Sequence, residues 1–340
     1  MTPDTVVFVN TDWSGVEARL TAFFSGDTNL TEALANELKG GHKVHALNAH
    51  AIYGCDPGDA KTTPTKKGFQ VNLQGTQKDA YDAGKRLTHA WNYGMSVAKM
   101  VEQFWIPMRE AVRIDEALSA KYPQLVQWRK DLVNEVCGIA LYACNTCGSN
   151  DTGPSKCVAH AWQPIRQFVR WEQEPTYHLS TPFGRRRWFF GRRGEIANAA
   201  VAQKPQSCGA SMWNYSLQRL HGLDTLGGGW WPTPDVGVLR CPTTCVPTSG
   251  YSALLSKTAG VDVATGTYDS FLLRTLAKHL DVVVPWVLWT VEQAWPQLGN
   301  WRFPAEYQVG QNWGKYHEHE NPQGLKDQPY RPLTAEFGRS

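Results

Sequence analysis

Two short runs of strand-forming residues lie near opposite ends of a mainly helical chain, and each delivers an aspartate to a turn. Val6 to Val9 is an apolar run of β-formers, and Thr11-Asp12 follows at its end. Residues 263–275 resume strand character, with Tyr268-Asp269-Ser270 set between small residues and Phe271-Leu272-Leu273, as in a tight hairpin. The two aspartates are 257 positions apart. Taken alone, either aspartate is equally a solvated turn residue.

Between those ends the pattern is helical. Val16, Leu20, Phe23 and Phe24 recur at i, i+4, i+7 and i+8, and the helix closes at Ser25-Gly26-Asp27. Residues 29–53 read as two helices broken at Gly40-Gly41, and residues 55–76 as a Gly-, Pro-, Lys- and Thr-rich loop. A long helical stretch follows from Lys78 to Arg109, interrupted near Tyr93-Gly94. Within it Lys85, His89 and Tyr93 are spaced four apart and share one helical face. Helical character continues through Tyr122 to Val136, and residues 137–180 form a cysteine-bearing excursion. A basic turn at Gly184-Arg185-Arg186-Arg187 leads into a helix expected over roughly 206–221. Residues 222–250, with Gly227-Gly228-Gly229 and Cys241-x3-Cys245, read as an inserted loop.

A chain of 340 residues exceeds the usual size of one hydrophobic core, so two or more lobes are expected. No apolar run approaches the ~20 residues that span a bilayer. The start, Met1-Thr-Pro-Asp-Thr, lacks a basic segment followed by an apolar one, which predicts no secretory leader and a cytoplasmic location. The net charge of +3 does not announce nucleic-acid binding, but its distribution points there, because Arg185, Arg186, Arg187, Arg192 and Arg193 crowd together.

Asp12-Trp-Ser-Gly-Val-Glu17-Ala-Arg19 resembles D-Y-S-x-I-E-L-R, motif A of family A DNA polymerases, and Lys43-Val-His45-Ala-Leu-Asn-Ala49 resembles that family's D-I-H-x-x-T-A. Lys85-x3-His89-x3-Tyr93-Gly94 is similar to motif B, and Thr181-Pro-Phe-Gly184-Arg-Arg-Arg187 to the T-x-x-G-R-R-R turn. Gln206 stands where the family has a glutamine before a palm helix, and Tyr268-Asp269-Ser270 where motif C belongs. The closing Asn312-Trp313-Gly314 is similar to the ends of phage-type members.

The resemblance implies an α+β fold with an antiparallel palm sheet carrying Asp12 and Asp269, a mainly helical fingers lobe, and template-directed addition of dNTPs to a primer 3′-OH. It implies that Asp12 and Asp269 hold two Mg²⁺ ions about 3.5–4 Å apart. By the same token His45, Lys85 and His89 contact the dNTP, with Tyr93 near the template base and sugar. Glu17 fills the space of a ribose 2′-OH and favours deoxynucleotides over the ribonucleotides of single-subunit RNA polymerases. Arg185, Arg186, Arg187, Gln206 and Tyr268 contact primer–template DNA. Domains follow as palm over 1–27, fingers over 28–200, and palm again over 201–340. Motif A begins so near the start that thumb and 3′–5′ exonuclease are expected on a separate polypeptide, in a bacterial cytoplasm, including that of a phage-infected host. Departures accompany the matches: His89 replaces the family's nucleotide-facing aromatic, Tyr81 a basic residue, Tyr268 a histidine and Ser270 an acid. The competing reading they keep open is an inactive DNA-binding fragment.

One motif stands outside that resemblance. Cys144-x2-Cys147-x9-Cys157-x2-His160 has two ligand pairs at zinc-ribbon spacing, within residues 140–165. Four N and S ligands in a closed tetrahedron predict structural Zn²⁺; the alternative is a loop with thiols that bind nothing.

Overall fold

The computed structural model describes residues 2–63, 79–144, 147, 150–151, 166–220, 262–267 and 270–328. Asp269, Tyr268, Cys157, His160 and the loop expected over 222–250 lie outside the described residues. In chain order, β1 (Val6–Trp13) and α1 (Val16–Ser25) precede α2 (Thr28–Leu38), α3 (Val44–Tyr53) and α4 (Ala80–Asn92). Next come α5 (Val97–Phe104), α6 (Met108–Lys121) and α7 (Pro123–Cys137), then β2 (Ile139–Cys144), β3 (Asn150–Asp151) and β4 (Arg166–Gln173). The chain continues through β5 (His178–Ser180), β6 (Arg186–Trp188), α8 (Arg193–Leu220), β7 (Asp262–Thr267) and β8 (Ser270–Leu276). It ends with α9 (Leu280–Val291), β9 (Ala305–Gly310) and β10 (Lys326–Asp327). Two compact units result, one of Met1–Arg19 with Cys208–Ser340, the other of Leu20–Ser207.

The first unit is built on a five-stranded antiparallel sheet in the order β10-β9-β1-β8-β7, so the strands from both ends of the chain do pair. β1 alternates as its period of two requires. Val7, Val9, Thr11 and Trp13 are buried, and Asn10 and Asp12 are half-exposed on the other face. The buried face is matched by Phe271, Leu273 and Thr275 of β8, which pair with Thr11, Val9 and Val7. α9 supplies Val283, Val284, Val287, Leu288 and Val291 to the core. The Trp13 indole Nε1 donates to the Val291 carbonyl at 3.0 Å, and its ring meets Phe271 edge-on at 5.6 Å. Neither α9 nor β9 was expected. α9 is apolar on most sides and holds Pro285, so it shows no helical stripe to read.

In the second unit, side-chain caps set the helix starts. Asp27, fully buried, accepts from Leu30 N at 2.9 Å to cap α2, and its other oxygen accepts from Leu125 N at 3.1 Å in the first turn of α7. Asp79 caps α4 through Asp82 N, and Ser96 caps α5 through Lys99 N. α3 and α4 lie unusually close because Gly84 has no side chain: a Cβ there sits 3.0 Å from Ala49 Cα. The helical stretch expected to run to Arg109 has a second break, at Trp105 (φ 54) ahead of Pro107. α8 corrects another expectation. It starts at Arg193, not near 206, and continues through Pro205. A helix-interior proline forfeits one hydrogen bond. Here that loss is offset by burial of Ile196, Ala200 and Val201 against Leu132, Val136, Leu179 and Phe189.

The cysteine-bearing excursion is a three-stranded antiparallel sheet in the order β3-β2-β4. β5 and β6 form a separate two-stranded hairpin. No described helix is long and apolar enough to cross a membrane.

Candidate active site

The first unit brings an acidic and polar strip onto the open face of its sheet. Asp12 pairs on one side with Ser270 of β8 and on the other with Glu306 of β9. One step along, Asn10 pairs with Gln308, and their side-chain amides bond at 3.3 Å. The turn after β1 is fixed from within. Ser14 Oγ donates to Glu306 Oε1 at 3.1 Å, and the fully buried Arg19 donates through Nε to the Ser14 carbonyl at 2.7 Å. Glu17 stands half-buried in the first turn of α1.

β7 ends at Thr267 and β8 starts at Ser270, and these two residues pair with each other. Tyr268 and Asp269 are the residues between them in sequence, outside the described set. The Ser270 carbonyl accepts from Trp213 Nε1 at 3.2 Å, and the Trp213 ring stacks on Phe271 at 5.9 Å. Sequence reading missed Trp213 and Glu306. For Glu306 the signal was its place in an Ala305-Glu-Tyr-Gln-Val-Gly310 run of alternating polarity.

The second unit gathers His45, Tyr81, Lys85 and His89. His45 lies in the first turn of α3, and the other three line one face of α4. The His45 ring is 5.4 Å from that of His89 and 5.9 Å, edge-on, from that of Tyr81. Lys85 is exposed and His89 half-buried. Burial drives the His45 pKa from 6.5 down to about 3, assisted by His89, Lys85 and Lys43. His45 is therefore neutral near pH 7, able to donate one N–H but carrying no charge. Its Nδ1 is buried with no hydrogen-bond partner among the described residues.

That depressed pKa has a consequence for stability. As pH falls below 6.5 the unfolded chain protonates this histidine, whereas the folded chain resists until about pH 3. The unfolded state then binds more protons, so stability present above the ordinary histidine pKa is lost as pH falls through this window. Urea unfolding in steps from neutral pH to about pH 4 is expected to show a declining free energy, with a shallower decline in His45→Asn. Equal slopes for the two proteins would contradict the assignment.

Tyr93 is the C-cap residue of α4 and packs half-buried against the Leu132, Val136 and Phe189 cluster, and Gly94 follows at φ 82. Arg185, Arg186 and Arg187 are exposed on the β5–β6 hairpin. Their turn needs its glycine: Gly184 sits at φ 77, with its N–H donating to the Thr181 carbonyl at 2.9 Å. Arg187 reaches Gln203 at 3.4 Å and lies over Phe189. Arg193 is structural, donating to the Gly138 carbonyl and the Asn134 side chain at the end of α7. Gln206 is exposed on α8.

Cys144 is buried at the end of β2, and Cys147 is exposed three residues on. Their expected partners, Cys157 and His160, lie outside the described residues. Among the described residues no group of three or more His, Cys, Asp and Glu side chains gathers to hold a metal. The donors beside Asp12 are carboxylate and hydroxyl oxygens, which suit a hard cation such as Mg²⁺.

Three likenesses to known proteins accompany this geometry. Residues 1–142 match the family described as DNA polymerase family A. Over 129 residues the chain is 26% identical to the thermostable DNA polymerase I of Thermus thermophilus, a stretch covering 38% of this chain and 13% of that protein. The fold is similar to the POL domain of Pol1 from M. smegmatis, a structure solved in complex with DNA primer-template and dNTP. That likeness has a TM-score of 0.51 at 15% identity, covering 91% of this chain and 40% of the other.

Proposed function

We propose that this chain, whose residues 1–142 match DNA polymerase family A, performs template-directed DNA synthesis. The observation that carries the reading is the register of β1. Asp12, in the motif A segment, pairs with Ser270, the residue that follows Asp269 in sequence. In the reaction a primer 3′-oxygen attacks the α-phosphorus of a dNTP, the α–β phosphoanhydride bond breaks, and pyrophosphate leaves.

Asp12 and Asp269 are the residues to hold Mg²⁺, as the oxygen donors on the open sheet face support. Bound Mg²⁺ supplies charge stabilisation to the attacking and leaving oxygens. Lys85 contributes a full positive charge to the triphosphate, and neutral His45 contributes a hydrogen bond only. His89 faces the incoming nucleotide from α4, and Tyr93 at the end of that helix lies near the template base and sugar. Glu17 excludes a ribose 2′-OH. Arg185, Arg186 and Arg187, with Gln206 and Tyr268, hold primer–template phosphates and bases. In this reading the first unit is the palm and the second the fingers. Cys144, Cys147, Cys157 and His160 close a structural Zn²⁺ site on the excursion.

The test is primer extension with Mg²⁺ and dNTPs, comparing the wild type with Asp269→Asn. Loss of extension in the variant is expected. Extension that the asparagine does not affect would sink the role of Asp269. Salt-dependent DNA affinity without incorporation would favour the inactive DNA-binding reading.

A further inference from the structure

We infer that Glu306 of β9 is a further carboxylate of the metal site, taking the place that Ser270 leaves without an acid. The inference rests on the proposed polymerase reading, and it adds a residue that lies outside all of the motifs described above. Asp12 and Glu306 are directly opposed in the β1–β9 ladder. Opposed antiparallel residues point to the same face with Cβ atoms about 5 Å apart. The face is the open one, because Thr11 and Trp13, the neighbours of Asp12 along β1, are buried on the other.

Two carboxylates at that separation can both ligate one cation, since Mg²⁺–oxygen bonds are about 2.0–2.1 Å long and its octahedron spans roughly twice that. On the β8 side of Asp12 the partner is Ser270, which offers a hydroxyl. The second negative charge next to Asp12 in the described sheet therefore comes from β9.

Glu306 is also oriented as a ligand is. The Ser14 hydroxyl donates to its Oε1 at 3.1 Å, and Arg19 holds the Ser14 carbonyl at 2.7 Å. Outer partners of this kind fix the direction of a metal-bound carboxylate. Ser14 and Arg19 belong to the same motif segment as Asp12, so the turn that follows Asp12 orients Glu306.

The experiment is direct titration of the full chain with Mn²⁺, followed by the loss of its free electron paramagnetic resonance signal, in parallel with the Mg²⁺ dependence of primer extension. Glu306→Gln is expected to weaken Mn²⁺ binding by about tenfold or more, and to raise the Mg²⁺ concentration giving half-maximal extension. Ser14→Ala, which removes only the orienting hydroxyl, is expected to shift both in the same direction by a smaller factor. It carries the test if Glu306→Gln does not fold. Mn²⁺ affinity unchanged in Glu306→Gln, or in Ser14→Ala should that variant carry the test, but lost in Asp12→Asn overturns the role of Glu306 and leaves the polymerase reading intact. Affinity unchanged in Asp12→Asn as well overturns the metal site itself.

Discussion

Asp12→Asn is expected to lower single-nucleotide incorporation by about 10³-fold, because losing a metal-holding carboxylate removes several kcal/mol of transition-state stabilisation. The fold is expected to survive the change. Asp12 is half-exposed, and the residues that build the core from β1 are Val7, Val9, Thr11 and Trp13 on the opposite face. The asparagine keeps the size of the side chain and leaves the ladder to Ser270 and Glu306 in place. Incorporation measured on a primer–template, beside a thermal melt of the same protein, separates the two effects. Incorporation within about tenfold of the wild type, a change under about 1.4 kcal/mol, would contradict the assignment.

Asp27→Ala is expected to act the other way, on stability before chemistry. Asp27 is fully buried, and its two oxygens accept from Leu30 N at 2.9 Å and Leu125 N at 3.1 Å. Alanine removes the cap of α2 and leaves both N–H groups buried without that acceptor. The cost is roughly 2–4 kcal/mol, the sum of a lost cap and a buried donor left unmade. Urea unfolding of the second unit's helices is expected at lower midpoint, with Asp27→Asn retaining part of the difference because an amide oxygen still caps. A midpoint unchanged in Asp27→Ala would show that neither bond stabilises the fold.

Asp27 also shows how the sequence could be read in one respect and not in another. Ser25-Gly26-Asp27 is legible as a helix stop, since its residue types act locally. Its bond to Leu125 N is not, because nothing local links positions 98 residues apart. The same division runs through the site. The alternation of β1 and the strand character of residues 263–275 are visible in sequence, and so is the four-residue spacing of Lys85, His89 and Tyr93. The register that sets Asp12 beside Ser270 is a property of the folded sheet.

What stayed hidden was decided by tertiary packing. α9 has no polar stripe, and α8 continues through Pro205 because Ile196, Ala200 and Val201 are buried in a cluster with α7 and the β5–β6 hairpin. Glu306 was hidden for a different reason. A glutamate in an alternating strand is ordinary, and only its pairing with Asp12 gives it a chemical setting. The neutrality of His45 was not legible either; its charge state follows from burial beside His89 and Lys85.

The most direct measurement is the identity of the product. A primer–template with one defined unpaired template base is incubated with the protein, Mg²⁺ and all four dNTPs or all four rNTPs, and the primer is weighed by mass spectrometry. The account predicts a gain of the complementary deoxynucleotide, set by the template base and much reduced with rNTPs. A primer that stays unextended, or gains a nucleotide regardless of the template base, would contradict it.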